Sequence, residues 1–255
     1  MLLGQSTIIE QGCLTANAML QEDAVAHGTI ASDMAPAVDE FSIGNGELDL
    51  DCPTEGFSPI SEAIEDIRRG KFVIVVDDES RENEGDLTMA APLVTPEAMA
   101  FTVKHGTGIV CVSMKTEDLE RLERPLMVSN KENEEKLCAA FTVSVDAKEG
   151  TTTGVSARDR AKTVQMLASA DSNPEDFNRP GHIFPLKYRE GGVLRRAGHT
   201  EASPPVGVVC EIVDEDGSMA RLPKLREFAK TENLKIISIA DLIRCAIFLS
   251  LARWS

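Results

Sequence analysis

Apolar residues at Ile60, Ala63, Ile64 and Ile67 keep the spacing of one helical face. Ser58-Pro59 stands in front as a cap and first-turn proline, and Gly70 behind as a stop. The next run, Phe72-Val-Ile-Val-Val76, is apolar throughout, which predicts a strand covered on both faces. Thr95-Pro96 opens a helix to about His105, and Gly108-Ile-Val-Cys-Val112 is a second buried strand. Thr116 to Leu122 fits a short helix, and the alternation of Phe141-Thr-Val-Ser-Val145 fits a half-buried strand. Ser156 caps a helix to about Ser169, followed by a loop rich in Asn, Pro and Gly that ends at Gly181. Val206 to Val213 is a third long apolar strand, Pro223 to Glu232 a helix, Lys235 to Ser238 a strand, and Ser238 caps a last helix. Strands and helices mix without strict alternation and nothing repeats. The pattern predicts one α+β or mixed α/β domain from Ser58 to Arg244, with a mixed sheet and packed helices, and an atypical tail from Cys245 to Ser255.

The first 57 residues break this pattern. No Lys or Arg precedes Arg68, while Asp and Glu recur from Glu10 to Glu55. Organellar transit peptides are Arg-rich and poor in acids, so the expectation is a flexible acidic extension that is dispensable for stability. The formal charge of −16 argues against general binding to nucleic acid or anionic membranes. Aromatic residues are only 4%, so the core must be built from aliphatic side chains. The six cysteines are scattered with no C-x-x-C pair, which suits a reducing compartment and neither zinc nor a disulfide framework. Cys111 and Cys210, inside apolar runs, are expected as buried thiols. No apolar stretch reaches membrane-spanning length.

Chemistry concentrates in a few stretches. Asp77-Asp-Glu-Ser-Arg-Glu-Asn-Glu-Gly-Asp86 leaves a buried strand directly, so its carboxylates emerge at a strand end. A solvated acidic loop and a divalent-metal or acid–base site are both compatible with it; oxygen ligands of this kind suit Mg²⁺ or Mn²⁺. In Arg179-Pro-Gly-His-Ile-Phe-Pro185, a tight turn places His182, a candidate for proton transfer. Arg195-Arg-Ala-Gly-His-Thr-Glu201 has the composition of an anion site, or of an exposed basic turn. Glu211 lies inside an apolar strand, where a carboxylate must be paired or shifted in pKa. Thr151-Thr-Thr-Gly154 precedes a helix and could receive a phosphate.

Taken in order, Asp77 to Asp86, His105-Gly-Thr-Gly108, Thr151 to Ser156, Arg179 to Leu186, Arg196 to Ala202 and Asp216-Gly-Ser-Met-Ala-Arg221 resemble the 3,4-dihydroxy-2-butanone 4-phosphate synthases. The wording between the motifs is similar to the synthase half of the plant bifunctional enzymes. No counterpart of their GTP cyclohydrolase II half is found in these 255 residues. The resemblance implies that family's three-layer-like fold and a homodimer with sites built from both subunits. It implies Mg²⁺ (or Mn²⁺), two ions per site. The implied reaction converts D-ribulose 5-phosphate to L-3,4-dihydroxy-2-butanone 4-phosphate and formate in riboflavin biosynthesis. The implied location is the chloroplast, with the cytoplasm as the alternative for an N-terminus without a recognisable transit peptide. Residue by residue, Glu82 and His199 match metal ligands. Arg81, Glu82, Asp86, Arg196, Ala197, Gly198, His199, Thr200 and Glu211 match substrate-contacting positions, Arg196 and Thr200 on the phosphate. His182 and Glu211 match the two catalytic side chains.

One departure stands out. Family sequences follow Gly-His-Thr-Glu-Ala-Ser with a helix of the type Val-Asp-Leu-x-x-Leu-Ala-Gly, whereas here Ser203 runs straight into Pro204-Pro205-Val-Gly207. About nine helical residues, ~14 Å at ~1.5 Å each, are missing between His199 and Glu211. The prolines predict an extended link, with core surface left exposed beneath it. An alternative to the active lyase is therefore a catalytically silent form that dimerises with an intact synthase.

Overall fold

The computed structural model describes residues 53–251. Most of the predicted acidic extension, with Cys13 and Cys52, lies outside the described residues, as do residues 252–255. In chain order the elements are α1 (Ile60–Arg68), β1 (Val73–Val76), β2 (Gly85–Ala90), α2 (Pro96–His105), β3 (Val110–Met114), α3 (Thr116–Arg121) and β4 (Val145–Ala147). They continue with α4 (Ala157–Leu167), β5 (Phe177–Lys187), α5 (His199–Ala202), β6 (Gly207–Glu211), α6 (Leu222–Thr231), β7 (Lys235–Ser238) and α7 (Ile239–Leu251). The strands form one sheet in the order β4-β5-β3-β6-β2-β1-β7. Pairing is mixed: β1–β7 and β3–β5 are parallel, and the other neighbours antiparallel.

Both sheet faces are covered, as the unbroken apolar strands require. On one face Ile74, Leu87, Met89, Val110, Val112 and Val208 pack against Met99 of α2, Val164 and Leu167 of α4 and Leu225 of α6. Burying each such side chain stabilises the fold by ~1.5–3 kcal/mol. On the other face Val73, Val75 and Ile237 meet Ile60 and Ala63 of α1 and Ile239 of α7. A smaller cluster of Cys111, Leu186 and Val209 occupies the β3–β5–β6 half of that face. Helices on both sides of a mixed sheet make the expected α+β, three-layer arrangement.

Several details differ from the sequence pattern. Gly85–Ala90, not expected as a strand, is β2; Leu87 and Met89 face one core while Asp86 and Thr88 are buried on the other face, so polar residues mask the strand. The loop expected to end at Gly181 is the first half of the longest strand, β5. It holds Pro180 because pairing with β4 shifts between Val145 and Asp146, and pairing with β3 begins only at Ile183. Phe141-Thr-Val-Ser-Val145 makes isolated bridges at Phe141 and Thr142, and the ladder starts at Val145. Ser58 does not cap α1; its hydroxyl accepts from the N–H of Ile236 in β7. No helix among the described residues is long and apolar enough to cross a membrane.

The boundary at Ser58 also falls too late. Buried Asp241 of α7 accepts from the Thr54 N–H at 3.1 Å and from its hydroxyl at 2.7 Å, and Arg226 stacks on Phe57 at 5.2 Å. Residues 54–57 therefore brace the domain, and α7 runs past the expected boundary at Cys245. Removing residues 1–57 should lower the melting temperature by ~4 °C or more relative to removing 1–52, since at least two hydrogen bonds at ~1 kcal/mol each disappear. Equal melting of the two truncations, by differential scanning calorimetry, would show the bracing to be ineffective.

Candidate active site

The acidic stretch is a structured hairpin loop between β1 and β2, organised by Asp77. One carboxylate oxygen of Asp77 accepts from the Glu84 N–H at 2.9 Å. The other accepts from the Glu82 N–H and from Arg81 Nη1, each at 2.9 Å. Asn83 takes a positive φ of 56°, a conformation Asn tolerates better than most residues. From outside the loop, Arg221 donates to the carbonyls of Glu82 (2.9 Å) and Asn83 (2.6 Å), which gives the Asp216–Arg221 motif a role in the site. The loop is thus held mainly through its backbone, and the Glu82 carboxylate, which meets Arg81 Nη1 at 2.5 Å, takes no part in shaping it.

His199, at the start of α5, meets that side chain across 117 residues of sequence: its Nδ1 lies 3.2 Å from Glu82 Oε2. Its Nε2 is 3.6 Å from Asp86 Oδ1 on β2. Both of these latter atoms are buried without a hydrogen-bond partner. Burial draws the imidazole toward neutrality, but Asp86, the Glu82 hydrogen bond and Asp77 overcome this and hold it above its ordinary range. Burial raises Asp86 against the pull of His199. The His199 hydrogen bond lowers Glu82, and burial, then Glu211, raises Glu84.

Potential ligand atoms of Asp77, Glu82 and His199 lie within 4.8 Å of one another, a spacing that can enclose a cation. Asp77 already accepts three N–H groups, so its part is to hold the loop; Glu82 and His199 are the pair able to turn to a metal. The Glu82 carboxylate suits a hard divalent ion, the imidazole less so. The unpartnered atoms of His199 and Asp86 mark where polar contacts are still wanting.

The other residues line up by register. Asp86 on β2 stands directly opposite Glu211 on β6, whose carboxylate accepts from the Thr107 hydroxyl at 3.0 Å. Across β3, on β5, His182 immediately precedes Ile183, the partner of Val110. Asp86, Glu211 and His182 point to the same sheet face, opposite Leu87, Cys210 and Ile183. At ~4.8 Å per strand, Glu211 and His182 lie about 10 Å apart at the backbone. The structure therefore brings Glu82, Asp86, His199 and Glu211 together and sets His182 at the far end of the row.

His182 has its own partner, which residue-level reading missed. Asp146 on β4 accepts from the His182 backbone N–H at 2.9 Å, and its other oxygen lies 2.7 Å from His182 Nδ1. A lone acid in the apolar Val145-Asp-Ala147 was the available signal, the same one that marks Glu211. The Thr151–Gly154 loop rests on this pair: a Cβ on Gly154, at φ +84°, would fall 2.0 Å from an Asp146 oxygen.

Arg196 is partly buried, its Nη1 on Glu201 at 2.7 Å and its Nη2 on the Leu137 carbonyl at 3.2 Å. Three of its five N–H donors remain for a ligand. Gly198 lets the chain pass this pair, since a Cβ there would sit 2.3 Å from Arg196 Nη1. Ala197 is exposed and Thr200 half-buried at the same turn. After α5 the chain leaves the helix at an extended Ser203, but Pro205 and Val206 lie in a bend and not in the extended link that the prolines predict. The sheet beneath is nevertheless covered: Ser203 and Ser113 hydroxyls bond at 2.5 Å, and Thr88, Ser113 and Val209 are buried. The link itself docks on the sheet.

The profile of the family described as 3,4-dihydroxy-2-butanone 4-phosphate synthase matches residues 61–245. The chain belongs to this family. The rice protein named probable bifunctional riboflavin biosynthesis protein RIBA 1, chloroplastic, is 73% identical over 247 residues, covering 93% of this chain and 46% of that protein. The 3,4-dihydroxy-2-butanone 4-phosphate synthase of Agrobacterium fabrum is 54% identical over 193 residues, covering 72% of this chain and 90% of it. A solved synthase described as a complex with two magnesium ions shares 42% identity and aligns with a TM-score of 0.70 over 73% of this chain and 95% of its own. The chain spans about half or less of the plant relatives' length. Its synthase fold covers both sheet faces in the way described above.

Proposed function

We propose that this chain is a carbon–carbon lyase that converts D-ribulose 5-phosphate to L-3,4-dihydroxy-2-butanone 4-phosphate and formate, in riboflavin biosynthesis. The observation that carries this reading is the meeting of Glu82 and His199 beside the unpartnered Asp86 oxygen, on the sheet face shared with Glu211 and His182. Glu82 and His199 would hold Mg²⁺ or Mn²⁺, two ions per site in our reading; a solved relative is described as a complex with two magnesium ions. A bound divalent ion would polarise the substrate's carbonyl and acidify the adjoining C–H. Arg196 and Thr200 would fix the phosphate and so hold the sugar in one pose. Glu211, steadied by Thr107, stands where a carboxylate can take or return a proton, and His182 serves the other end of the substrate. Apolar Ile109 and Val155, each 48% exposed beside this row, suit cover by a second subunit in a homodimer with shared sites. The plant relatives' names place them in the chloroplast, the location we assign.

The test is direct. Purified protein given ribulose 5-phosphate and Mg²⁺ should release formate, and chelation should stop it. Protein that binds the metal yet releases no formate would overturn the reading. One observation favours the silent form instead: α5 stops at Ala202, where the family pattern continues a helix. Inserting a Val-Asp-Leu-x-x-Leu-Ala-Gly segment after Ser203 should raise formate release by about tenfold, because small misplacements of site residues are costly. Equal rates with and without the insert would make that helix dispensable.

A further inference from the structure

A cavity of about 430 Å³, separate from the residues above, is lined by Arg124, Arg179 and Lys187 among others. Arg124 forms its floor and is only 5% exposed. The Arg124 Nε donates to the Leu122 carbonyl, its Nη2 to the Pro174 carbonyl at 3.2 Å, and its guanidinium carbon lies 5.6 Å from the centre of the Phe177 ring. The remaining nitrogen, Nη1, is buried with no hydrogen-bond partner. Among the described residues no carboxylate lies within ion-pair distance of Arg124, Arg179 or Lys187. Burial, and then the charge of Arg179, press against the Arg124 cation, with exposed Glu123 a smaller influence the other way.

A buried guanidinium without a counter-charge is unfavourable, and proteins normally pair it. Here neutral carbonyls hold two nitrogens in place and leave the third unmet. Glu120 and Glu123 also line the cavity, but both are exposed, so water screens them. A guanidinium fork matches the oxygens of a tetrahedral dianion, and the volume admits a small organic group beyond it.

We propose that this cavity is a second anion site, for inorganic phosphate or a small phosphate monoester, held by Arg124 from the floor and by Arg179 and Lys187 from the rim. Phe177 and Arg179 both belong to β5, the strand that carries His182, so occupancy braces that strand next to its bulge. Equilibrium dialysis of the full chain with radiolabelled inorganic phosphate tests this, and Thr200→Ala, which weakens phosphate at the substrate site, separates the two positions. The parent should bind one phosphate that Arg124→Leu does not bind. Arg179→Gln, on the exposed rim and so safe for folding, should weaken that phosphate at least ~10-fold, the scale of one hydrogen bond to a charged group. Isotherms that coincide for the parent and Arg179→Gln, or phosphate binding lost entirely in Thr200→Ala, would overturn the proposal.

Discussion

Glu82→Gln should abolish formate release while leaving the fold in place. The substitution keeps the shape of the side chain and removes only its charge. Everything that shapes the hairpin loop survives it: Asp77 uses the backbone N–H of residue 82, and Arg221 uses its carbonyl. Only the carboxylate's own interactions are weakened, with Arg81 Nη1 at 2.5 Å and with His199 Nδ1 at 3.2 Å. The Glu82 side chain is 35% exposed, and ion pairs at such sites stabilise by ~1 kcal/mol at most, so melting should move by no more than about 4 °C. Metal affinity should fall far more, by at least ~10²-fold, because a charged ligand is removed outright. Calorimetric titration with Mg²⁺ and a formate assay read the two effects separately. Parent-like turnover by well-folded Glu82→Gln protein would remove Glu82 from the metal site.

Why the pattern reveals some elements and hides others follows from burial. Val73–Val76 is apolar at every position and buried at every position, so its apolar run identifies it. Thr95 and Ser156 accept from the backbone N–H groups of Ala98 and Asp159, so the helix starts at Pro96 and Ala157 are visible as caps. Gly85–Ala90 and Phe177–Lys187 are hidden for the opposite reason: both carry polar residues of the candidate site. Asp86 and Thr88 interrupt the apolar signal of β2, and Arg179-Pro180-Gly181 imitate a turn within β5. Local signals are thus weakest where the chemistry is. The meeting of Glu82 with His199 spans 117 residues, and no local spacing encodes it; only the resemblance of the motifs couples the two. Asp77 shows the converse case. It sits in the acidic stretch as a ligand candidate, yet its oxygens are occupied by the loop's own N–H groups.

His182→Ala should slow formate release by at least ~10²-fold, the usual scale for a group that moves protons. The geometry says which nitrogen acts. Asp146 lies 2.7 Å from Nδ1, so a proton on that side bridges the pair, and in the proposed role Nε2 would be the nitrogen facing the substrate. The two Asp146 oxygens receive two different N–H groups of the same residue, the backbone and the ring. Asparagine can accept at only one end, so Asp146→Asn sets an NH₂ group against one of those donors and loosens the ring. The expected loss is ~10- to 100-fold, the range seen when a partner that orients a histidine is removed. If Asp146 works through His182, the double variant should be no slower than His182→Ala alone, because the second change removes nothing still in use. Added imidazole should partly restore His182→Ala, since the side chain is 41% exposed and its place opens to solvent, and should do so less when Asp146 is also replaced. Multiplicative losses in the double variant would mean that Asp146 holds the β4–β5 bulge and has no part in directing the proton.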